Sequence, residues 1–420
     1  MNSTLMQDKT SETSAPLRIC LLSYRGNPTS GGQGVYIKRL SRALADLGHQ
    51  VDVLSGPPYP ELDSDIRLHC LPSLDLYNPD NLFRVPSPGE LISPVNLLEW
   101  LLVCSGGFPE VFTFSIRAYG FLKKNSHRYD IVHDNQCLGS GLLGLKHLGL
   151  PLVTTIHHPI TVDREIELKA QRWWWRRLKI RRWYSFLNMQ IRVSKKLGHL
   201  ITVSEASRRD ISLSFGLPAS RFSVVVNGIN TNTFYPKTGI TRKKNRIMVT
   251  NSADTPLKGL KYLIQAFADI RKDRKVELIV IGKPKKDGTI YRLCRDLNLE
   301  DSITFTGRID DSEFATYYAE CTMAVVPSVY EGFGLPAGEA MACRVPVIST
   351  TGGALPEVVG NTGILVPPRD SDAIKDAIID LLDHPDKRRR LAQAGFQRAL
   401  KHFTWRNTAI ELTKIYQEAI

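Results

Sequence analysis

The hydrophobic positions of this chain fall into short continuous runs that alternate with amphipathic segments. "LRICLLSY", from Leu17 to Tyr24, is the first run and leads into a cluster of glycines. A helical spacing follows from Val35 onward, and its apolar face carries Ile37, Leu40, Leu44 and Leu47. "VDVLSG" is the next apolar run. Strands covered on both faces of a parallel sheet are continuously apolar, so this order predicts a strand, a helix and a parallel strand.

Two sets of such runs are present. The first set continues with runs that begin at Tyr129, Leu150, Gly198 and Phe222. The second set consists of runs that begin at Asn245, Val276, Ser302, Met323 and Val345. Helical segments lie between the runs, and strands that alternate with helices predict parallel sheets. The expected fold class is therefore α/β, with two Rossmann-like parallel-sheet domains that face each other across a cleft.

Polar stretches of the chain indicate the domain boundaries. Residues 1–16 are polar and contain no apolar segment of the kind found in secretory signals, which predicts a disordered leader. Residues 17–229 form the predicted first domain, residues 230–245 a polar linker, and residues 246–404 the predicted second domain. We expect the last helix, about 405–420, to pack back on the first domain.

Composition limits the location and the partners of the protein. Seven cysteines are scattered without a C-x-x-C pair, which argues against a disulfide framework or a zinc site and for a reducing compartment. The most apolar stretch, from Leu91, is interrupted by Pro94, Asn96 and Glu99 and falls short of a membrane-spanning helix. We therefore expect a cytoplasmic protein, either soluble or peripheral on the inner face of the membrane. The excess of 55 Lys and Arg over 42 Asp and Glu, a net charge of +13, indicates a negatively charged partner.

Two acids around a glycine-rich turn form the most informative local feature. In "SVYEGFGLPAGEAMA", Glu331 and Glu339 flank the turn, and Pro336 suits the first turn of a helix. A strand, a turn and a helix leave free N–H groups at the helix start, where phosphates bind. Carboxylates repel phosphate, so their natural partners are hydroxyl groups. A ligand with both a diphosphate and a sugar would use both features, whereas each acid taken alone also fits a solvated surface residue.

Other polar residues follow the predicted strands at their carboxyl ends, where ligands of open α/β sheets bind. With Glu331, these residues are Gly31–Gly34, His157, Asn227 and Lys258. Each also has an ordinary structural explanation, because glycines make turns, histidines fill cores and a lysine before a helix is often solvated. "GGQGVY" in addition lacks the G-x-G-x-x-G spacing of a dinucleotide fingerprint. Two facing domains would gather all of these residues around one cleft.

The segment "QRWWWRRLKIRRWYSFLNMQI" combines tryptophan with arginine and lysine. As one helix, it would carry a core-packing stripe of Trp173, Ile180, Tyr184, Leu187 and Ile191. The residues off this stripe form a candidate membrane or acceptor surface of Trp174, Trp175, Arg176, Arg177, Arg181 and Arg182, with Trp183 also off the stripe. Tryptophan beside Arg and Lys is typical of a membrane interface. A plain packed helix and a stacking surface for single-stranded nucleic acid are the alternatives.

The motifs together resemble a known family. "EGFGLPAGE" is similar to the E-x7-E signature of retaining glycosyltransferases with the GT-B fold, family 4 in particular. The order of "GGQGVY", "VTTIHH", "TVSEASRRD", "VVVNGIN", "PLKGL" and "TGGALPEVVGNTGILVPPRD" agrees with that family. The resemblance covers essentially everything after Pro16, and the E-x7-E stretch followed by G-G-x-x-P-E is its most specific part.

This resemblance implies roles for individual residues. Gly32 and Gly34 would lie under the donor diphosphate, His157 would face the transferred sugar, and Lys258 would bind the diphosphate. Glu331 would contact sugar hydroxyls near the reacting carbon and Glu339 would hold the nucleotide ribose. The remaining donor-binding residues would be Asn227 and the backbone of Phe333, Gly334 and Leu335. His157 and Glu331 are the expected catalytic residues.

The resemblance also implies a reaction. A hexose-type sugar would pass from a nucleotide diphosphate sugar to a sugar, glycan or lipid-linked acceptor with retention of anomeric configuration. Neither a cofactor nor a metal is expected, because Lys258 and backbone amides would stabilise the leaving group. Two positions depart from the family pattern. "TNSADTPLKG" lacks the arginine that usually precedes the lysine, and Asn230 in "NGIN" replaces an acid.

Other functions fit parts of the sequence. A nucleotide-sugar epimerase or a phosphorylase with a similar fold is one alternative. A transferase should release nucleotide diphosphate only when an acceptor is present, which separates it from an epimerase. A transferase that acts on a soluble acceptor would not need the tryptophan and arginine surface. A non-catalytic nucleic-acid-binding protein would show steep salt dependence and no affinity for nucleotide sugars. We expect no nucleic acid partner.

Overall fold

The computed structural model describes residues 15–27, 32–78, 81, 84–250 and 255–420. The predicted leader lies almost wholly outside the described residues, as do Gly31 and the stretch 251–254 where the family arginine is missing. The described residues form two parallel sheets with helices on both faces. The predicted α/β fold with two Rossmann-like domains is thus confirmed.

The first sheet has seven parallel strands in the order β3-β2-β1-β4-β5-β6-β7. They are β1 (Arg18–Ser23), β2 (Gln50–Ser55), β3 (Arg67–Cys70), β4 (Ile131–Asn135), β5 (Leu152–Ile156), β6 (His199–Thr202) and β7 (Phe222–Val224). The helices of this part are α1 (Gln33–Asp46), α2 (Pro88–Leu91), α3 (Pro94–Cys104), α4 (Glu110–Asn125), α5 (Ile160–Ala170), α6 (Trp174–Trp183), α7 (Phe186–Ser194) and α8 (Glu205–Phe215).

The second sheet has six parallel strands in the order β10-β9-β8-β11-β12-β13. They are β8 (Arg246–Thr250), β9 (Glu277–Ile281), β10 (Ile303–Gly307), β11 (Met323–Val326), β12 (Val347–Thr350) and β13 (Ile364–Val366). The helices are α9 (Leu260–Arg271), α10 (Thr289–Asp296), α11 (Asp311–Glu320), α12 (Leu335–Ala342), α13 (Leu355–Val359), α14 (Ser371–Asp383), α15 (Pro385–His402) and α16 (Trp405–Ala419).

Side chains of each central strand alternate between two apolar layers, as the period of two in a strand requires. In β1, Ile19 and Leu21 pack with α1 and α16, whereas Cys20 and Leu22 pack with α4. Both layers are closed to solvent. The continuous apolar run at Leu17 is therefore explained by burial on both faces of the sheet.

The chain crosses between the two sheets twice, and the two crossings lie side by side. The N–H of Ile229 donates to the carbonyl of Phe403 at 2.7 Å, and Ile229 pairs with Thr404 in an isolated parallel bridge. After Thr404, α16 returns to the first sheet, where Tyr416 is fully buried. Within residues 230–245, Phe234 is partly buried and packs against the core of the second sheet.

The tryptophan and arginine segment is not one helix. It divides into α6 and α7, because the backbone leaves the helix at Tyr184 and Ser185. The predicted core stripe holds for Tyr184 and Leu187, which are buried, but it is wrong for Trp173, which precedes α6 and is 57% exposed. Trp173 is the N-cap residue of α6 with an extended backbone, so it lies outside the helical turns on which the predicted stripe depends.

Candidate active site

The turn between β11 and α12 brings Glu331 and Lys258 into direct contact. Lys258 Nζ donates to Glu331 Oε1 at 2.8 Å, and the Ser328 hydroxyl donates to the same oxygen at 2.8 Å. Glu331 is buried, whereas the lysine is about one-third exposed. The predicted phosphate-binding cation is therefore paired with the predicted sugar-binding acid.

Glycines with little free space set this geometry. A Cβ on Gly259, whose φ is +65°, would lie 1.9 Å from the carbonyl oxygen of Pro327, so the turn after Lys258 presses against the exit of β11. A Cβ on Gly353, whose φ is +63°, would lie 2.2 Å from the carbonyl oxygen of Glu331. Only glycine fits such contacts in this backbone conformation. The two glycines fix Lys258 and Glu331 by backbone packing.

Helix α12 begins where the glycine-rich turn ends, as predicted. Gly334 is its N-cap residue with φ of +105°, and Pro336 occupies the first turn. The first N–H groups of a helix have no partner within the helix and attract anions. The side chain of Phe333 is buried against Phe403, so the backbone of this residue, not its ring, is available to a ligand. Leu335 is the first residue of the helix.

Glu339 lies one turn further along α12 and is half-buried. Burial raises the pKa of Glu339 to about 8, and the carboxylates of Asp311 and Glu331 add to the shift while Lys258 opposes it. The carboxyl group is therefore largely protonated at neutral pH in the ligand-free protein. Hydroxyl donors of a ribose would favour its ionised form.

His157 faces this turn from the first sheet. Its Nε2 lies 2.6 Å from Asn135 Oδ1, its backbone N–H donates to Gln136 Oε1 at 2.8 Å, and its ring contacts Tyr36 edge to face at 4.5 Å. Burial lowers the pKa of His157 to about 3, with His158 and His133 contributing. The imidazole is therefore neutral near pH 7 and can form hydrogen bonds to a sugar without carrying charge.

The two parts of the molecule meet beside Glu331. The hydroxyls of Ser204 and Ser207 donate to the carbonyl of Gly332 at 2.7 and 3.0 Å. Ser207 also donates to the carbonyl of His157 at 3.2 Å. Glu357 accepts from the N–H groups of Glu205 and Ala206 at 2.7 Å each. These bonds hold the end of β5, which carries His157, against the turn that carries Glu331.

The remaining predicted donor-binding residues lie at the start of α1 and after β7. Gly32 is the N-cap of α1 with φ of +74°, and a Cβ on Gly34 would lie 2.1 Å from the carbonyl oxygen of Asn27. Asn227 is buried, and its Oδ1 has no hydrogen-bond partner within the described ranges. The surface residues Trp174, Trp175, Arg176, Arg177, Arg181 and Arg182 all lie on α6.

Several residues of the site were not assigned from the sequence. Asn135 and Gln136 orient His157, while Ser204, Ser207 and Glu357 join the two parts of the molecule. The motifs "TVSEASRRD" and "TGGALPEVV" contain three of these residues and were noted without a role. Their partners lie more than a hundred residues away in sequence, which a local pattern does not reveal.

The pKa of Glu339 gives a prediction for donor binding. Because a ribose would bind the ionised carboxylate, the affinity for a nucleotide sugar should rise with pH and level off above about pH 8. We expect about tenfold tighter binding at pH 9 than at pH 7. Calorimetric titration across this range measures the effect. The Glu339→Gln variant should bind more weakly and show no such slope, whereas an equal slope in both proteins would contradict the assignment.

Comparisons with known proteins agree with this architecture. The family model described as "Glycosyltransferase Family 4" matches residues 30–233, and the model described as "Glycosyl transferases group 1" matches residues 232–398. The chain is 46% identical over 408 residues to an "MMP alpha-(1->4)-mannosyltransferase" of Mycolicibacterium hassiacum, covering 96% of this chain and 98% of the relative. It is 27% identical to a "D-inositol 3-phosphate glycosyltransferase 2" of Catenulispora acidiphila, covering 97% and 96%.

Solved structures share the fold. A sucrose-phosphate synthase of Thermosynechococcus elongatus superposes with a TM-score of 0.72 at 26% identity, covering 95% of this chain and 98% of that one. The HepE protein of Anabaena, in complex with UDP and glucose, superposes with a TM-score of 0.67 at 19% identity, covering 96% and 99%.

Proposed function

The chain belongs to the group 1 glycosyltransferases of the GT-B fold, and on this basis we propose that it transfers an α-mannosyl residue from a nucleotide diphosphate mannose to a saccharide acceptor. The observation that carries the proposal is that Lys258 contacts Glu331 at the turn before α12, and that Ser207 joins this turn to His157 through the carbonyls of Gly332 and His157. This arrangement offers cationic and N–H groups for a diphosphate beside acids for hydroxyls. The relative from Mycolicibacterium hassiacum suggests mannose as the hexose.

The proposed reaction retains the anomeric configuration. The bond between C1 of the sugar and the diphosphate oxygen breaks while the acceptor oxygen attacks C1 from the same face. The acceptor proton passes to the departing phosphate oxygen, so no separate general base is needed. Lys258 and the N–H groups at the start of α12 stabilise the charge that develops on the leaving group. Neutral His157 and Glu331 orient the sugar.

Donor binding must first open the pair between Lys258 and Glu331. A diphosphate brings two negative charges to Lys258, and a sugar offers hydroxyl donors to Glu331, so each member of the pair exchanges its partner for a part of the same ligand. The exchange leaves neither the partly exposed Lys258 nor the buried Glu331 without a partner, as a low-cost binding step requires. One nucleotide sugar would therefore bind both Lys258, through its diphosphate, and Glu331, through its sugar.

An acceptor-dependence assay tests the proposed function. Purified protein is incubated with a panel of nucleotide diphosphate sugars, with and without mannose oligosaccharides, and release of nucleotide diphosphate is measured. We expect release from a nucleotide diphosphate mannose only when an acceptor is present. Interconversion of the nucleotide sugar without an acceptor would instead indicate the epimerase alternative, and binding to oligonucleotides alone would indicate a nucleic-acid-binding protein.

Chelation tests the metal-free mechanism. Since Lys258 and backbone N–H groups neutralise the diphosphate in this proposal, turnover should survive an excess of EDTA with little change. The rate is measured with and without the chelator, and again after addition of magnesium or manganese. Loss of activity on chelation that either metal restores would overturn this part of the proposal.

We further propose that the enzyme binds an anionic membrane surface through α6 and α3. In α6 every residue is exposed apart from the half-buried Ile180 and Arg182, and Trp174 is 71% exposed. Helix α3 buries a charged residue and exposes apolar ones. Glu99 is buried and paired with Arg117, whereas Leu97, Leu98 and Leu101 are exposed. The Arg182 guanidinium donates to the Ser105 hydroxyl at the end of α3, so the two helices adjoin. Among the described residues, no helix is long and apolar enough to cross a bilayer.

Trp183 differs from the other tryptophans of α6. Its ring packs against Tyr77 and Phe108, with ring centres 5.1 and 5.2 Å apart, so it attaches α6 to the first domain. Arg176 and Lys179 lie over the ring of Trp175. The outer tryptophans and their neighbouring cations are thus the part of α6 that is available to lipid headgroups.

Vesicle binding tests the membrane proposal. The variant with Arg176, Arg177 and Arg181 changed to glutamine should bind vesicles of anionic lipid more weakly, since each cation contributes about 1 kcal/mol. A control with Arg389, Arg390 and Lys401 changed to glutamine removes the same charge from the exposed part of α15. Sedimentation at low and high salt measures both. Equal binding to neutral and anionic vesicles at low salt would favour the soluble-acceptor alternative.

A further inference from the structure

A small polar recess lies at the carboxyl edge of the first sheet, away from the predicted donor site. Its volume is about 10 Å³, the space for about one water molecule or one hydroxyl group. The exits of β1, β2 and β3 and the first turn of α4 surround it. Its polar lining consists of Tyr24, Ser73, Glu110, Thr113 and Arg117.

Two buried polar atoms of this recess have no hydrogen-bond partner among the described residues. Glu110 is only 7% exposed, and its Oε2 lies 3.3 Å from Arg25 Nη1 without forming a hydrogen bond. Arg117 Nη1 is likewise buried and unbonded, while its Nη2 donates to Glu99 and Asn96. Buried polar groups are almost always hydrogen-bonded. The recess thus presents one acceptor, which is paired only ionically with Arg25, and one donor, Arg117 Nη1, and neither atom forms a hydrogen bond within the described ranges.

The chemistry of the recess fits a hydroxyl group. A hydroxyl both donates and accepts, so one oxygen atom can accept from Arg117 and donate to Glu110. Burial raises the pKa of Glu110 to about 8, with Arg25 opposing the shift, so the site is not a strongly anionic pocket at neutral pH. A neutral, hydroxyl-rich ligand suits it better than a cation.

The recess is connected to the candidate active site. The Tyr24 hydroxyl hydrogen-bonds Gln33, which lies between Gly32 and Gly34. Cys137, next to Gln136, donates through its thiol to the carbonyl of Val111 beside Glu110. In the sheet, β1 and β2 are two and three strands away from β5, which carries His157 at its end. At about 4.8 Å per strand, the recess lies roughly 10–15 Å from His157 along the edge of the sheet.

We propose that this recess is an acceptor subsite, in which Glu110 and Arg117 bind a hydroxyl of a sugar ring behind the ring that is glycosylated. The separation from His157 is too large for one sugar ring and suits two or three linked rings. The acceptor is therefore an oligosaccharide that runs along the carboxyl edge of the first sheet from β5 toward β2. This inference rests on the proposed function, and it assigns the acceptor to the side of the cleft opposite to the donor.

Acceptors of increasing length test the subsite. The probes are methyl α-mannoside and α-(1→4)-linked mannobiose and mannotriose, each at saturating donor. We expect kcat/KM of the parent protein to rise with length. The Glu110→Met variant, which keeps the volume but not the polar atoms, should lose about tenfold in kcat/KM for mannotriose through KM. Its kcat/KM for methyl α-mannoside and its KM for the donor should equal those of the parent.

Control variants separate the subsite from general damage. Glu110→Gln retains a hydrogen-bonding group and should recover part of the loss, and Glu61→Met changes an exposed acid of the same domain and should have no effect. If Glu110→Met does not fold, the Gln variant and the length dependence of the parent decide the matter. An equal loss with the monosaccharide and the trisaccharide, or a parent with no length dependence, would overturn the subsite alone. A parent inactive with every acceptor would overturn the proposed function and the subsite with it.

Discussion

Replacement of Glu331 by alanine is expected to lower kcat by about 100-fold or more, the scale of loss when a group that stabilises the transition state is removed. Glu331 is the acid that we expect to contact the sugar near its reacting carbon. The same substitution removes the group that holds Lys258 at 2.8 Å in the ligand-free protein. Affinity for the nucleotide sugar should therefore stay unchanged or increase while turnover falls.

Steady-state kinetics and calorimetric titration of the same preparation measure this separation. Glu300→Ala, at an exposed position of the second domain, is the matched control and should behave as the parent does. A general folding defect would lower affinity and turnover together, so the opposite directions distinguish the two causes. Parental turnover in Glu331→Ala with every donor that the parent uses would remove Glu331 from the site.

Replacement of Lys258 by methionine is expected to weaken donor binding and turnover together, each by about 100-fold, because the leaving diphosphate loses its cation. The substitution also leaves Glu331, which is 9% exposed, without its ion-pair partner. We expect the free energy of unfolding to fall by about 1–3 kcal/mol, since an unpaired buried charge is costly.

A double variant separates these two effects. Lys258→Met combined with Glu331→Gln removes the unpaired charge, so stability should recover toward that of the parent while activity stays lost. A double-mutant cycle compares the parent, Lys258→Met, Glu331→Gln and the double variant, each measured by urea unfolding and by donor titration. If the double variant is no more stable than Lys258→Met, the ion pair between Lys258 and Glu331 does not contribute to the stability of the folded protein.

Strands β1, β8, β9 and β11 could be predicted from the sequence because each contains an apolar run of three or more residues. Strands β4 and β5 open on shorter apolar pairs and continue with buried polar residues. Strand β3 was not predicted, because it is a partly exposed edge strand whose residues "RLHC" carry no such run. Strand β13 spans three residues and follows a glycine-rich stretch, so its pattern is too short to recognise. The apolar spacing predicts one helix over the whole segment because it continues across Tyr184 and Ser185, where the structure separates α6 from α7.

The site could be predicted only as far as local motifs reach. Lys258, Glu331 and Glu339 lie in motifs with glycines that shape a turn, and the structure places the first two in contact. The bonds of Ser204 to Gly332 and of Glu357 to α8 depend on how two distant parts of the chain come together. Residues 251–254, where the family arginine is absent, lie outside the described residues.

The most direct test of the central claim is the anomeric configuration of the product. Purified protein is supplied with a nucleotide diphosphate mannose labelled at C1 and with an α-(1→4)-linked mannotriose, and the product is followed by proton and carbon NMR from the first turnovers. The account predicts one added mannosyl residue in the α configuration of the donor, with one nucleotide diphosphate released for each residue transferred. A β-linked product, or labelled free mannose with no extended acceptor, would contradict it.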